Sequence, residues 1–290
     1  MLTYNETIKL DYTKLDAPDM GHETTLTLYV PNEERHVAAY TPKRPTVIVL
    51  PGGGYTNISS READPIVIRY LARGFNVGLL NYSCKPSVFP TALLEALSAI
   101  KYIRDYAEKN FSDPNQIYLC GFSAGGHLAA SCGTHWHRAE SERYFGDVER
   151  VKPNGLILCY AVITSEDEAH SGSIRALLGD KYTDEEAREY VSLEKQVDEK
   201  TPTSFIWSTF YDQSVPCENA IMFASALRKA GTPFELHIFE DGPHGVATGD
   251  NVTTPMLFPL RTRSWIDMSA DWIYENVSKP EYVVYTPPLK

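Results

Sequence analysis

A serine at a strand-to-helix turn is the first feature of this chain that favours chemistry. The pentapeptide Gly121-Phe122-Ser123-Ala124-Gly125 follows the apolar residues 117–120 and precedes the helix-forming residues 126–132. Small residues on both sides of the serine allow the close backbone approach that a strained strand-to-helix turn requires, and such a turn exposes the hydroxyl above a parallel sheet. We therefore predict that Ser123 is a nucleophile.

This nucleophile needs a base, and the base needs an acid that orients it, because a serine hydroxyl reacts poorly at neutral pH. On a sheet of this kind, the three groups follow one another as Ser, then Asp or Glu, then His. Asp212 follows the apolar residues 205–209, and His244 lies in a Gly/Pro-rich loop after residues 236–239. Asp241 is the rival acid, but it shares its loop with the histidine, which makes an approach to the far side of the imidazole awkward. We expect Asp212 to be the acid and His244 the base.

A run of glycines at the end of residues 47–50 supplies a second signal. Three glycines follow Pro51, and their N–H groups can point at a bound oxygen without side-chain obstruction. We expect the N–H groups of Gly53 and Gly54, together with that of Ala124, to bind the oxyanion of a tetrahedral intermediate.

The elements that must position these residues follow a β-α-β pattern. Strands are predicted at residues 26–30, 47–50, 75–80, 117–120, 156–160, 205–209 and 236–239, and helices at residues 65–73, 91–108 and 218–230. This alternation predicts an α/β fold with a mostly parallel sheet and helices on both faces, in which the carboxyl ends of the strands gather the site. The first predicted strand is expected at the edge of the sheet.

Residues 165–201 interrupt this pattern with charged, weakly amphipathic segments. We expect them to form a small, lid-like helical insertion over the site, so that residues 1–290 make up a single domain. The Pro-rich residues 285–289 are expected to be loosely ordered.

Composition and charge exclude several classes of partner. The formal net charge of -11 argues against nucleic acid and acidic membrane surfaces, because binding a polyanion requires concentrated Lys and Arg. The amino terminus has no signal-peptide pattern and no stretch approaches the length of a membrane span, which favours a cytoplasmic protein. The five cysteines are scattered, without the spacing of a disulfide framework or a zinc site.

The remaining histidines near the serine receive structural interpretations. His127 follows Ser123 by about one helical turn, and we expect it to pack or to form hydrogen bonds within its helix. His135 and His137 form an H-x-H pair, but no acidic or cysteine partner stands at ligand spacing, so we interpret them as the exposed end of a helix. We expect neither a metal nor a cofactor.

Several motifs together resemble the α/β-hydrolase superfamily. They read PGGGY at residues 51–55, SSREADPI at 59–66, LNYS at 80–83, GFSAGGHLAA at 121–130 and PFELHIFEDGPHG at 233–245. More narrowly, the chain resembles the bacterial acetylesterase, acetyl-xylan-esterase-like and feruloyl-esterase-like branch, which is related to the hormone-sensitive-lipase group. The resemblance covers roughly residues 26–272, and it implies an esterase that acts on short acyl groups, often acetyl groups on sugars, without a cofactor.

Pro51 departs from that resemblance, because the related lipase-like enzymes commonly carry a histidine ahead of the glycines. Whatever the histidine does for the loop must then be done by other residues. Arg61 and Glu62, just after the loop, are the candidates that we expect to brace it.

Three tyrosines, Tyr55, Tyr82 and Tyr211, are candidates for lining an acyl or sugar pocket. Ordinary packing is a strong alternative for each of them, because the chain contains 18 tyrosines.

The leading hypothesis is a serine carboxylesterase that acts on small-molecule or oligosaccharide esters. A serine peptidase of the prolyl-oligopeptidase type uses the same triad on the same sheet, but this chain has no large propeller domain ahead of the core. A hydrolase-fold protein that binds a ligand without turning it over usually lacks a triad member, and none is missing here. Association into a homo-oligomer stays open.

Overall fold

The computed structural model describes residues 1–31, 43–254 and 261–278. In these ranges, eight strands form one sheet: β1 (Leu2–Ile8), β2 (Thr24–Val30), β3 (Arg44–Leu50), β4 (Asn76–Asn81), β5 (Ser112–Phe122), β6 (Gly155–Cys159), β7 (Ser204–Thr209) and β8 (Phe234–Phe239). The same ranges contain the α-helices α1 (Asp64–Ala72), α2 (Thr91–Asp105), α3 (Ala107–Asn110), α4 (Ala124–His135), α5 (Ala139–Phe145), α6 (Ser171–Leu178), α7 (Glu185–Tyr190), α8 (Glu218–Ala230) and α9 (Trp265–Ser278). The Pro-rich residues 285–289 lie outside the described residues.

The strands lie side by side in the order β1-β2-β4-β3-β5-β6-β7-β8. The pairs β1·β2 and β2·β4 are antiparallel, and all other pairs are parallel. This arrangement confirms the predicted α/β fold with a mostly parallel sheet. Because β3, β5, β7 and β8 run in the same direction, the loops that follow them leave from the same edge of the sheet.

Two elements at the ends of the chain go beyond the prediction. The strand predicted at residues 26–30 corresponds to β2 and was expected at the sheet edge, but β1 pairs with it from Leu2↔Val30 to Ile8↔Thr24, so that β1 is the outer strand and the expectation is wrong. The segment LTYNETI contains Asn and Glu, and Ile8 is its one buried side chain. It therefore lacks the continuous apolar run that marks the inner strands. The carboxyl-terminal helix α9 was not predicted either.

The sheet is covered on both faces, and the side chains of β3 show how. Ile48 and Leu50 belong to one core cluster together with residues of α2, α4 and α8, whereas Val47 and Val49 belong to a second cluster together with residues of α1 and α9. Successive side chains of a strand point to opposite faces. An unbroken apolar run is therefore the pattern expected of a strand that is buried on both sides.

Residues 165–201 form α6 and α7, joined by 3-10 turns, and pack back onto the sheet and α4. The N–H of Leu193 donates to the carbonyl of Ile163 at 3.0 Å, and the carbonyl of Val191 lies 2.9 Å from Nε2 of His127. Val191 and Leu193 are both buried. The segment is thus tied to α4, the helix that follows the candidate nucleophile, while its role as a lid stays a prediction.

Candidate active site

Ser123 lies between β5 and α4 in a strained backbone conformation, with φ 52° and ψ -118°. The neighbouring glycines explain how the chain makes this turn. A Cβ atom at Gly121 would lie 2.2 Å from the carbonyl oxygen of Gly125, and a Cβ atom at Gly125 would lie 2.1 Å from that of Leu50. No larger residue fits at either position without moving backbone, and strain of this kind persists only where the surroundings impose it.

The three residues predicted as nucleophile, base and acid form a continuous chain of hydrogen bonds. Nε2 of His244 lies 2.9 Å from Oγ of Ser123, and Nδ1 of His244 lies 2.7 Å from Oδ2 of Asp212. The side chain of Asp212 is fully buried, whereas that of His244 is 22% exposed. The arrangement gives the imidazole an acidic partner on one side and the serine hydroxyl on the other, as base catalysis requires.

The second oxygen of Asp212 has partners of its own. Oδ1 accepts hydrogen bonds from the N–H groups of Ser214 and Val215, each at 2.9 Å. Since those bonds hold the carboxylate in one orientation, Oδ2 is left to accept from Nδ1 of His244, which leaves Nε2 free to accept the serine proton. The rival acid Asp241 is exposed on the histidine loop and has no hydrogen bond to the imidazole.

The glycine loop after β3 turns tightly beside Ser123. Gly53 and Gly54 have φ values of +130° and +66°, which L side chains rarely adopt, and a Cβ atom at Gly53 would lie 1.9 Å from the carbonyl oxygen of Asn57. In the described residues, no protein acceptor takes a hydrogen bond from the N–H of Gly53, Gly54 or Ala124. Ala124 is the first residue of α4, where backbone N–H groups have no intrahelical partner. These three N–H groups are thus available to a bound oxygen.

The loop is held at the peptide between Pro51 and Gly52. The hydroxyl of Tyr82 donates to the carbonyl of Pro51 at 2.6 Å, and the N–H of Gly52 donates to Oε2 of Glu62 at 2.8 Å. Of the two residues expected to brace the loop, Glu62 therefore contacts it directly. Arg61 is exposed and forms no hydrogen bond or ion pair within the described residues.

The three tyrosines proposed to line a pocket occupy different environments. Tyr82 is fully buried, and its hydroxyl holds the glycine loop through the carbonyl of Pro51, so its substrate contact stays a prediction. Tyr55 is 3% exposed, and its hydroxyl lies 2.9 Å from Nδ1 of His127. Its substrate contact stays a prediction as well. Tyr211 is 56% exposed and follows β7, and its substrate contact stays a prediction.

The histidines of α4 are interior residues. His127 bridges Tyr55 and the carbonyl of Val191, and burial lowers its pKa from 6.5 to about 4. His135 and His137 were expected at an exposed helix end, but His135 is fully buried and the side chain of His137 is only 7% exposed, so that interpretation is wrong. Their partners explain why.

Nε2 of His135 lies 3.2 Å from the carbonyl of Tyr190 in α7, and Nε2 of His137 lies 2.8 Å from Oδ2 of Asp198. Residues 165–201 thus cover the end of α4, which an H-x-H pattern alone does not reveal. Within residues 1–31, 43–254 and 261–278, no cluster of three or more His, Cys, Asp or Glu side chains has the arrangement of a metal site.

Two residues near the candidate site, His170 and Ser173, were not identified from the sequence. His170 caps α6 and lies 2.8 Å from Oγ of Ser173 through Nδ1, and that hydroxyl lies 3.6 Å from the position of a Cβ atom at Gly54. Burial, and secondarily the positive charge of protonated His244, lower the pKa of His170. The residue pattern around α6 carries no signal for this placement, since it depends on how α6 packs against the glycine loop.

Among the described helices, none combines the length and the apolar character needed to cross a membrane.

The chain is similar to known proteins in family, sequence and structure. A family model described as BD-FAE matches residues 26–227, more than half of the chain. Endo-1,4-beta-xylanase B of Butyrivibrio fibrisolvens is 36% identical over 77% of this chain, and an acetylxylan esterase of Xylanibacter ruminicola is 28% identical over 73%. The chain spans only 36% and 44% of the length of these two proteins.

A solved structure covers nearly the whole chain. The acetyl ester-xyloside bifunctional hydrolase of Caldicellulosiruptor lactoaceticus is 34% identical, with a TM-score of 0.81, and the alignment covers 94% of this chain and 96% of the other. The resemblance to the acetyl-xylan-esterase-like branch of the α/β-hydrolases is thereby confirmed at the level of fold and family.

Proposed function

Because the chain belongs to the BD-FAE family, we propose that it is a serine esterase that removes short acyl groups, with acetyl groups on xylose-containing sugars or oligosaccharides as the substrate class. The observation that carries the proposal is the hydrogen-bonded series Ser123, His244 and Asp212, which lies beside backbone N–H groups that have no acceptor in the described part of the chain. The xylan-related names of the similar proteins support the sugar part of the proposal.

The first half of the reaction forms an acyl-enzyme. Oγ of Ser123 attacks the ester carbonyl while Nε2 of His244 takes its proton, and Asp212 stabilises the resulting imidazolium. The carbonyl oxygen becomes an oxyanion, which the N–H groups of Gly53, Gly54 and Ala124 bind. Loss of one such donor typically costs about 2.7–4 kcal/mol of transition-state stabilisation. Collapse of the tetrahedral intermediate expels the alcohol, which receives the proton from His244.

The second half of the reaction repeats these steps with water. His244 removes a proton from a water molecule that attacks the acyl carbonyl, and it then returns the proton to Oγ of Ser123. The carboxylic acid leaves, and the serine is regenerated. No step of this sequence requires a metal or a cofactor.

The direct test compares hydrolysis of 4-nitrophenyl acetate by the wild type, Ser123→Ala and Ser131→Ala. Removal of the nucleophile is expected to lower kcat by about 10⁴-fold or more. Ser131 is a buried serine of the same helix α4, so its replacement controls for general disturbance and should leave the rate within about two-fold. An unchanged rate in Ser123→Ala would refute the proposal.

The substrate class is tested separately. We expect faster acetate release from acetylated xylo-oligosaccharides than from simple alkyl acetates, together with negligible cleavage of amino-acid 4-nitroanilides. Preferential cleavage of the anilides would favour a peptidase instead. A protein that turns over no ester and whose Ser123 does not react with a fluorophosphonate would be a binding protein.

A further inference from the structure

A buried carboxylate next to the triad takes no part in the reaction just described. Glu62 is 3% exposed, and within the described residues no basic group lies within ion-pair distance of it. A buried carboxylate without a cation is costly unless hydrogen-bond donors satisfy both of its oxygens. Here the N–H of Gly52 donates to Oε2 at 2.8 Å, and the hydroxyl of Tyr160 donates to Oε1 at 2.7 Å.

The first of these contacts controls the glycine loop. The peptide between Pro51 and Gly52 is planar, with its carbonyl bound by Tyr82 and its N–H bound by Glu62. A peptide held on both sides cannot rotate, so it sets the direction in which the following N–H groups leave. The loop also touches the nucleophile here, since a Cβ atom at Gly52 would lie 2.7 Å from Oε2 of Glu62 and 2.9 Å from Cβ of Ser123.

The second contact leads to the histidine loop. Oη of Tyr160 donates to Glu62 and accepts the N–H of Ala247 at 3.1 Å, three residues after His244. The rings of Tyr160 and His244 pack edge to face with their centres 5.1 Å apart. Tyr160 directly follows β6 and has a positive φ of 36°, so its backbone is itself held in an uncommon conformation. One carboxylate is therefore connected to the loop that binds the oxyanion and to the loop that carries the base.

We infer that Glu62, acting through Tyr160, is a positioning residue that holds the oxyanion loop and the histidine loop in the relative placement that the transition state requires. The inference rests on the proposed esterase function and deepens it. In this view, the buried carboxylate of Glu62 aligns two loops that are far apart in the chain.

The test uses Glu62→Gln, Tyr160→Phe and the double variant. A glutamine side chain offers one acceptor oxygen and one donor amide, so it cannot accept from both Gly52 and Tyr160. We expect kcat for 4-nitrophenyl acetate to fall about 10- to 100-fold in each single variant, the range expected for loss of a hydrogen bond to a charged group, with KM within about two-fold. Because both changes interrupt one connection, the double variant should be no more than about three-fold slower than the slower single variant.

Glu95 provides a matched control. It is also a buried carboxylate, 2% exposed, but it accepts hydrogen bonds from the N–H and hydroxyl of Ser83 rather than from either catalytic loop. Glu95→Gln should lower the melting temperature in the same manner as Glu62→Gln but leave kcat within about two-fold. A trifluoromethyl ketone that forms a tetrahedral adduct should bind more weakly in Glu62→Gln by the same factor by which kcat/KM falls.

Two results would overturn the inference. One is a Glu62→Gln variant whose kcat and ketone affinity match those of Glu95→Gln. The other is a double variant whose fold-decrease in kcat equals the product of the fold-decreases in the two single variants. If Glu62→Gln fails to fold, Tyr160→Phe decides the question by the same criteria. The proposed function itself fails only if Ser123→Ala stays active, so the two failures are distinguishable.

Discussion

Asp212→Asn tests whether Asp212 sets the protonation of His244 as the proposed mechanism requires. In the wild type, Oδ1 of Asp212 accepts from the N–H groups of Ser214 and Val215, each at 2.9 Å, and Oδ2 accepts from Nδ1 of His244 at 2.7 Å. Asparagine has one oxygen and one amide donor. If the oxygen keeps the two backbone bonds, the amide must face His244.

The expected loss of kcat follows from the different partners of the two Asp212 oxygens. Turning the amide the other way would lose two backbone hydrogen bonds of about 1 kcal/mol each and would set donor against donor. The amide therefore stays directed at Nδ1 of His244, which must then act as an acceptor, so Nε2 carries the proton and cannot take one from Ser123. We expect kcat to fall about 10⁴-fold, equivalent to about 5.4 kcal/mol, with little change in KM.

The assay is steady-state hydrolysis of 4-nitrophenyl acetate, accompanied by urea denaturation to confirm that the variant is folded. Asp241→Asn is the control, because Asp241 is exposed on the loop of the histidine, and its rate should stay within about two-fold of the wild type. The reasoning is refuted if Asp212→Asn keeps more than a tenth of the wild-type kcat, or if Asp241→Asn is the more damaging change.

Two further predictions concern stability. Gly125→Ala places a Cβ atom 2.1 Å from the carbonyl oxygen of Leu50 and should lower the free energy of unfolding, measured by urea denaturation, by at least about 3 kcal/mol. Gly231→Ala, where φ is +79° and nothing lies within 4 Å of the added Cβ, should lower it by only about 1–2 kcal/mol. Equal losses in the two variants would contradict the packing argument. Burial lowers the pKa of His127 from 6.5 to about 4, so its contribution to the free energy of unfolding is complete above pH 6.5 and is lost as the pH falls through 4, with a slope of up to about 1.4 kcal/mol per pH unit. His127→Gln should reduce that slope by one proton in urea titrations between pH 7 and 4, and an unchanged slope would show that another group is responsible.

The grouping of Ser123, Asp212 and His244 could be predicted because each of these residues has a local signal. Ser123, Asp212 and His244 each follow an apolar run, and each lies among turn-forming residues. Parallel strands bring such loops to one edge of the sheet. The same geometry favoured Asp212 over Asp241 as the partner of His244, and the hydrogen bonds agree with that pairing.

The surroundings of the triad depend on long-range packing and could not be predicted in the same way. His135 is covered by Tyr190 of α7, and Ser173 reaches the glycine loop only because α6 packs there. Tyr160 and Glu62 are 98 positions apart in the chain, yet they share a hydrogen bond. From residue type alone, Glu62 is expected to be exposed and Tyr160 to serve in packing. The local sequence does not show that the interior supplies hydrogen-bond donors to Glu62 and an acceptor to Tyr160.

The order of the strands has a consequence for how activity is lost. Ser123 follows β5, which is flanked by β3 and β6, whereas His244 follows β8, the last strand in the sheet order, whose residues are half-buried or exposed. Strands at a margin open with less free energy than central ones. Detachment of β8 would separate Phe239 from Trp207, whose rings lie 5.9 Å apart, and would displace the loop that carries the imidazole, while β5 keeps its neighbours β3 and β6. The protein should therefore pass on heating through an inactive but still largely folded state, and its useful lifetime should be governed by fraying of one strand rather than by melting of the whole sheet.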